Sequence, residues 1–184
     1  PLLPKNLKEG ELNDDEKKWA DMMKGWNLRN DVGSNGATVF EIFWKNFTDT
    51  VYQDEYAKAP KPTIMPFEST LAEGLLKDSA YKYLDNISTP LKETLADDVT
   101  AAFKKTAVEI SKASANGKLA WDKYKATMIR HLLRIPGLSR LNLPIGGGTH
   151  NINAAKDVHG PSWRMIVQLS AQTEAWGIYP GGQN

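Results

Sequence analysis

The stretch Pro144-Ile-Gly-Gly-Gly-Thr-His-Asn-Ile-Asn-Ala-Ala155 marks the place where the residue pattern of this chain changes. Before it, charged and apolar residues follow each other with the period of amphipathic helices. Within and after it, glycines cluster and apolar residues run without helical spacing. Because glycine allows sharp turns and because alternating or β-branched runs favour strands, the sequence predicts a helical region over residues 1–143 and turns and strands over residues 144–184.

Two strands are predicted in this terminal region. The first covers Trp163–Leu169 and the second covers Ala175–Tyr179, with Ser170–Glu174 as the hairpin loop between them. The segment Asn151–Ala155 is short and alternates, so the number of strands is two or three. Since an isolated hairpin is only marginally stable in water, these strands either pack beneath the helices or belong to a larger sheet.

The clearest helix is predicted over Ala37–Gln53, where apolar residues recur at i, i+3, i+4, i+7 and i+11. The residues of this stripe are Phe40, Phe43, Trp44, Phe47 and Val51. Aromatic residues at this spacing are typical of a helix face that packs in a core. A pocket for an acyl chain is the alternative interpretation.

Further helices are indicated by capping residues and by prolines. Asn13 or Asp14 is the candidate N-cap of the first helix. Thr89-Pro90 predicts the start of a long helix over Leu91–Ser114, because threonine caps helices and proline favours the first helical position. Shorter helices are predicted from Glu68 or Ser69 onward and over Trp121–Leu133. The predicted fold class is therefore mainly α with a small C-terminal antiparallel β element.

Composition excludes several classes of function. The chain has 184 residues and no cysteine, which excludes disulfides, thiol catalysis and cysteine-ligated metal sites. Lys and Arg number 23 against 22 for Asp and Glu, and the two signs are interleaved, so no basic surface for nucleic acid is predicted. No apolar run approaches the roughly 18 residues that a membrane span needs, so no membrane partner is predicted either.

The common catalytic motifs are not matched. His131, His150 and His159 do not have the spacing of zinc ligands on a helix, so no metal site is predicted. The glycines at 146–148 lack the Gly-Lys-Ser/Thr that completes a phosphate-binding loop. No serine lies in a Gly-x-Ser-x-Gly motif, which removes the α/β-hydrolase nucleophile.

Four polar residues of the terminal region remain as candidates for chemistry, namely Asn151, Asn153, Arg164 and Gln183. An asparagine amide that follows a glycine turn can donate a hydrogen bond to a developing negative oxygen, as an oxyanion hole requires. Local capping of the turn by the same side chain is the alternative. Spacing alone leaves both interpretations open.

Three blocks of sequence resemble the penicillin acylase (penicillin amidase) family. They are Gly147-Gly-Thr-His-Asn-Ile-Asn-Ala-Ala155, His159-Gly-Pro-Ser-Trp-Arg-Met-Ile-Val-Gln-Leu169 and Tyr179-Pro-Gly-Gly-Gln-Asn184. Weaker similarity extends upstream to Ser34-Asn-Gly-Ala-Thr-Val-Phe-Glu-Ile-Phe-Trp44 and to Trp121–His131. The blocks occur in the family's order, and the resemblance covers the chain from about Trp19 onward.

The resemblance implies an N-terminal nucleophile hydrolase with the αββα fold. Such enzymes are precursors that cleave themselves and expose a serine, which attacks an amide carbonyl and forms an acyl-enzyme. Asn153 then matches the side-chain donor of the oxyanion hole, Arg164 matches an arginine near the site, and Gln183 belongs to the family's Pro-Gly-Gly-Gln turn. The implied substrates are acylated small molecules of the penicillin or N-acyl homoserine lactone type, and the implied location is the periplasm or the cell exterior. No cofactor is implied for this chain, and calcium is implied only as an option of the intact parent.

The chain departs from the family at its ends. Its first residue is Pro1, and no internal serine has the context of a self-cleavage site. We therefore expect an internal fragment of the β chain, inactive by itself, whose partners are the α chain and the rest of the β chain. Exposed sheet edges would also let two copies associate. The alternative function is a free-standing helical module that binds a partner strand by β-augmentation.

Overall fold

A computed structural model of the chain describes residues 2–57, 59–60, 64–160 and 164–178. It is mainly helical with a small antiparallel sheet near the C-terminus, as predicted. The helices are α1 (Leu2–Lys5), α2 (Asp14–Lys24), α3 (Asn35–Tyr56), α4 (Glu68–Lys77), α5 (Leu95–Ala115) and α6 (Trp121–Lys125). The strands are β1 (Arg164–Gln168) and β2 (Glu174–Ile178). None of the described helices has the length and hydropathy needed to cross a bilayer.

The described residues form two compact units. The first contains the residues up to Trp26 together with Val39–Lys112, and the second contains Asn27–Thr38 and the residues from Ala113 onward. The division at residues 143 and 144 that the sequence suggests stays a prediction.

Helix α2 begins where the capping residues predict. The Asn13 side chain accepts a hydrogen bond from the backbone N–H of Glu16 at 2.9 Å, and the Glu16 carboxylate accepts one from the Asn13 N–H at 2.8 Å. This reciprocal pair satisfies two donors that the first turn of a helix would otherwise leave unpaired. Trp19 and Met23 on the inner face are buried in the first unit.

Helix α3 confirms the aromatic stripe and extends beyond the predicted Ala37–Gln53 at both ends. Phe43, Phe47 and Val51 are almost completely buried. The ring of Phe43 lies 5.9 Å from that of Phe103 on α5, a distance typical of a favourable aromatic pair. The stripe therefore packs in the core of the first unit, as its spacing indicates.

The predicted start of the long helix is wrong by four residues. Helix α5 begins at Leu95, and Thr94 and Asp97 form its cap, with the Thr94 N–H donating to the Asp97 carboxylate at 2.9 Å. Thr89 instead belongs to a turn and donates from its hydroxyl to Glu93 at 2.7 Å. Both threonines are good caps, but only Thr94 has an acidic residue three positions later to complete a reciprocal pair.

The predicted helix over Trp121–Leu133 is also wrong, because α6 ends at Lys125. Ala126 takes a left-handed conformation with φ of 47°, which terminates the helix. The chain then runs extended, and Ile129 and Arg140 exchange two backbone hydrogen bonds of 2.7 and 2.8 Å. These non-local hydrogen bonds stabilise an extended chain where the apolar periodicity predicts a helix.

The predicted hairpin is confirmed over the described residues. Strands β1 and β2 pair antiparallel, with Ile166 opposite Trp176 in the centre. Trp163 and Tyr179, which the prediction included, lie outside the described residues. Of the two or three strands that the sequence allowed, the described residues form two, since the segment Asn151–Ala155 contributes only a single bridge between Gly148 and Ala154.

Candidate functional site

The glycine turn at residues 146–148 lies in the second unit and packs backbone against backbone. The N–H of Gly147 donates to the carbonyl oxygen of Asn30 at 2.7 Å. A Cβ atom on Gly146 would lie only 2.6 Å from that same oxygen. The approach requires glycine, because any side chain at 146 would force the two segments apart.

Two side chains of helix α6, Trp121 and Lys125, hold the glycine turn by hydrogen bonds, and we call this pair the clamp. The indole Nε1 of Trp121 donates to the carbonyl oxygen of Gly147 at 2.7 Å. The ammonium Nζ of Lys125 donates to the carbonyl oxygens of Gly146 at 2.8 Å and of Gly147 at 3.0 Å. Lys125 is only 8% exposed, and its Nζ lies 5.4 Å from the centroid of the Trp121 ring. Three hydrogen bonds to two carbonyl groups therefore fix the turn.

The clamp is itself anchored at the start of α6. The backbone N–H of Asp122 donates to the carbonyl oxygen of Val32 at 3.0 Å. The segment containing Asn30 and Val32 thus contacts both the glycine turn and the helix that holds it. The turn, the helix and this segment form one hydrogen-bonded cluster.

Asn153 lies against the clamped turn. Gly147 has φ of +79°, and a Cβ atom there would overlap the carbonyl oxygen of Asn153 and lie 2.7 Å from the amide carbon Cγ. The N–H of Ala155 donates to the carbonyl oxygen of Gly148 at 3.2 Å, which ties the Asn153 segment to the turn. The Asn153 side chain is exposed, and within the described ranges its amide makes no hydrogen bond. It can therefore donate to a ligand.

Of the other candidate residues, Asn151 lies next to the turn and Arg164 lies on strand β1. Arg164 begins β1 opposite Ile178 and is exposed, and no described hydrogen bond or ion pair joins it to Asn153. Asn151 adjoins the turn and is partly exposed. Gln183 lies outside the described residues. The proposed roles of Asn153 and Arg164 stay predictions.

The histidines do not form a metal site in the part of the chain that is described. His131 accepts a hydrogen bond at Nδ1 from the N–H of Leu133 at 3.3 Å, and His159 is exposed. No group of three or more His, Asp or Glu side chains among the described residues could hold a metal ion.

Sequence reasoning missed the residues that hold the turn. Long stretches of chain separate the glycines from Asn30, Trp121 and Lys125. No local sequence pattern predicts contacts over such separations. Lys125 ends a short amphipathic segment, where a lysine usually lies on the solvated face. The one available signal was the run of three glycines, because it indicates close approach of another segment without identifying it.

Comparison with known proteins finds one matching family model. The family model described as penicillin amidase matches residues 1–184. Neither a curated protein nor a solved structure matches the chain.

Proposed function

Because the chain belongs to the penicillin amidase family, we propose that it supplies the oxyanion-binding part of an amidohydrolase that cleaves the amide bond of acylated small molecules. The family accounts for the reaction type, hydrolysis of an amide. The acyl group and the leaving amine are of the penicillin or N-acyl homoserine lactone type by resemblance. Export to the periplasm or the cell exterior belongs to the same proposal.

The observation that carries the proposal is the placement of Asn153. Its amide is unpaired among the described residues and lies beside a turn that Trp121 and Lys125 hold through three hydrogen bonds. Donors for an oxyanion are effective when they are fixed before the reaction, because no reorganisation is then needed as charge develops. The clamped glycine turn fixes the backbone against which Asn153 lies.

In the proposed reaction a serine hydroxyl attacks the carbonyl carbon of the amide. A carbon–oxygen bond forms, the π electrons move to the carbonyl oxygen, and Nδ2–H of Asn153 donates to the resulting oxyanion. The α-amine of the same serine takes the hydroxyl proton and passes it to the leaving amine as the carbonyl double bond forms again and the carbon–nitrogen bond breaks. Water then hydrolyses the acyl-enzyme. The serine comes from the remainder of the precursor, so the polypeptide of residues 1–184 has no acylase activity by itself. Arg164 is assigned a place near the same site by family resemblance alone, and calcium is an option of the intact parent and not of this chain.

The test uses an active acylase that carries these residues. Asn153→Ala should lower kcat about 10²- to 10³-fold with a much smaller change in KM, because the lost hydrogen bond is made mainly in the transition state. Asn151→Ala is the matched control, since it removes the same amide two residues away. An unchanged kcat in Asn153→Ala would exclude Asn153 as the oxyanion donor.

A second measurement tests the assignment of the nucleophile to another part of the precursor. The 184-residue polypeptide should not hydrolyse a chromogenic phenylacetyl or fatty-acyl amide. Turnover by this polypeptide that disappears in Asn153→Ala would show that the nucleophile lies within it.

A further inference from the structure

A cavity of about 430 Å³ opens in the first unit between the end of α3, the segment at residues 83–88 and the start of α5. Three carboxylates line it, from Asp54, Glu93 and Asp98. The residues that line the cavity belong to the first unit, whereas the glycine turn belongs to the second. Its volume is within the range of pockets that bind small molecules.

Hydrogen bonds from residues 86–89 fix two of the carboxylates. Asp54 accepts a hydrogen bond at Oδ2 from the backbone N–H of Ile87 at 2.7 Å. Glu93 accepts from the backbone N–H of Asn86 at 3.0 Å and from the hydroxyl of Thr89 at 2.7 Å. Both negative charges are therefore held at the cavity wall.

The third carboxylate is buried and incompletely paired. Asp98 is only 6% exposed, and its Oδ2 is fully buried with no hydrogen-bond partner among the described residues. A buried acceptor without a donor destabilises the folded state. Asp98 is one of the residues that line the cavity, so its carboxylate adds a third acidic group to the cavity wall.

The negative charge of the cavity wall determines which class of ligand the cavity favours. Against the three carboxylates, the cavity's described lining residues include one ammonium group, that of Lys105, which donates to the Thr50 hydroxyl at 3.2 Å. Ionised carboxylates are acceptors only, so the complementary ligand is a cation with several N–H donors. A metal ion does not fit the described side chains, since no group of three or more of them could hold one.

We propose that this cavity is a binding site for a small organic cation, an alkylammonium or a guanidinium, whose N–H groups donate to the carboxylate of Asp98 and to those of Asp54 and Glu93. The loop at residues 83–88 forms one wall, so the ligand also ties this loop to the helices. The site accepts an amine-bearing small molecule and rejects neutral molecules of the same shape.

The protonation of Asp98 links binding to pH. Burial raises the pKa of Asp98 to about 7, and the negative charges of Glu93, Asp97 and Asp54 add to the effect while Lys105 opposes it. Glu55, next to Asp54, also has its pKa raised to about 7, chiefly by burial. A cation prefers the ionised carboxylates, so its affinity should rise as the pH increases from 6 to 8.

The experiment is an NMR titration of the full 184-residue chain with 1,4-diaminobutane, and with 1,4-butanediol as the neutral control of the same length. At pH 8 and constant ionic strength, the diamine should produce saturable shifts in the amides around Asp54, Asn86 and Asp98, and the diol should not. Asp98→Asn keeps the shape of the side chain and should weaken diamine binding about tenfold or more, equivalent to the loss of one charge-assisted hydrogen bond. Asp49→Asn, which removes an exposed carboxylate of α3 outside the cavity, should bind as the wild type does.

Three results would overturn the proposal. The first is equal shifts with the diol and the diamine, and the second is the lack of saturable shifts with the diamine. Both are measured on the wild-type chain and do not depend on the folding of a variant. The third is unchanged affinity in a folded Asp98→Asn variant.

Discussion

Lys125 donates from Nζ to the carbonyl oxygen of Gly146 at 2.8 Å, across 21 residues of sequence. The same ammonium group reaches the carbonyl oxygen of Gly147, which also accepts from Trp121. A lysine that is largely buried loses hydration, and hydrogen bonds to carbonyl groups offset part of that loss. The glycine turn and the charge of Lys125 therefore stabilise each other.

Lys125→Met should destabilise the chain by about 1–3 kcal/mol, because it removes the donor to Gly146 while keeping a side chain of similar length. Urea unfolding followed by circular dichroism measures the change. Lys123→Met is the control, since Lys123 lies on the same helix with a side chain that is 60% exposed. Equal losses in the two variants would mean that the hydrogen bonds of Lys125 contribute nothing specific.

Gly147→Ala should destabilise the chain by more than about 2 kcal/mol. Alanine is strained at φ of +79°, and its Cβ would overlap the carbonyl oxygen of Asn153. Because relief of this overlap displaces Asn153, an active acylase carrying the substitution should also lose kcat. Gly137→Ala serves as the control, since no heavy atom lies within 4 Å of a Cβ placed there and the stability should hardly change. A Gly147→Ala variant as stable as the wild type would contradict the described position of Asn153.

The elements that could be predicted from sequence are those determined by local chemistry. The cap at Asn13, the aromatic face around Phe43 and the hairpin centred on Ile166 each depend on residues a few positions apart. Hydrophobic periodicity and capping rules describe such short-range interactions well.

The error in the length of α6 occurs where distant residues decide between alternatives. The stretch after Lys125 has helical periodicity, yet Ile129 pairs with Arg140 and the chain is extended. The residues that fix the turn near Asn153 could not be predicted for the same reason, because they come from two segments that are remote in sequence. The family resemblance pointed to Asn153, whereas Lys125 became visible only through its contacts with the turn.

The stability of the chain should fall as the pH rises from about 5 to about 8. Asp98 has a pKa of about 7 in the folded chain, above its ordinary value of 3.8, so the folded state binds the proton more tightly than the unfolded state between these values. The free energy of unfolding therefore decreases as the pH rises through this interval. Glu55 acts in the same direction, whereas Asp97, with its pKa lowered to about 2 chiefly by the hydrogen bond from Lys8, changes stability only in acid.

The measurement is urea unfolding at pH 5, 6, 7 and 8. The wild type should lose on the order of 1–3 kcal/mol over this range, and Asp98→Asn should lose clearly less because its side chain does not titrate. Asp49→Asn, whose carboxylate is exposed, should follow the wild type. Parallel profiles for all three proteins would show that Asp98 does not titrate in this range.

The hairpin should mediate self-association of the 184-residue chain. Among the described residues β1 pairs with β2 alone, and the central side chain of β1, Ile166, is 68% exposed. A strand edge with free N–H and C=O groups and apolar side chains can pair with a second copy, and a charged residue on such a strand opposes pairing. Ile166→Lys should therefore lower the weight-average mass in sedimentation velocity at high concentration. Leu133→Lys, at an apolar side chain that is 76% exposed outside the sheet, should not. A chain that remains monomeric at all concentrations, or that responds equally to both substitutions, would exclude the hairpin as the contact between copies and would also weaken the alternative function of β-augmentation.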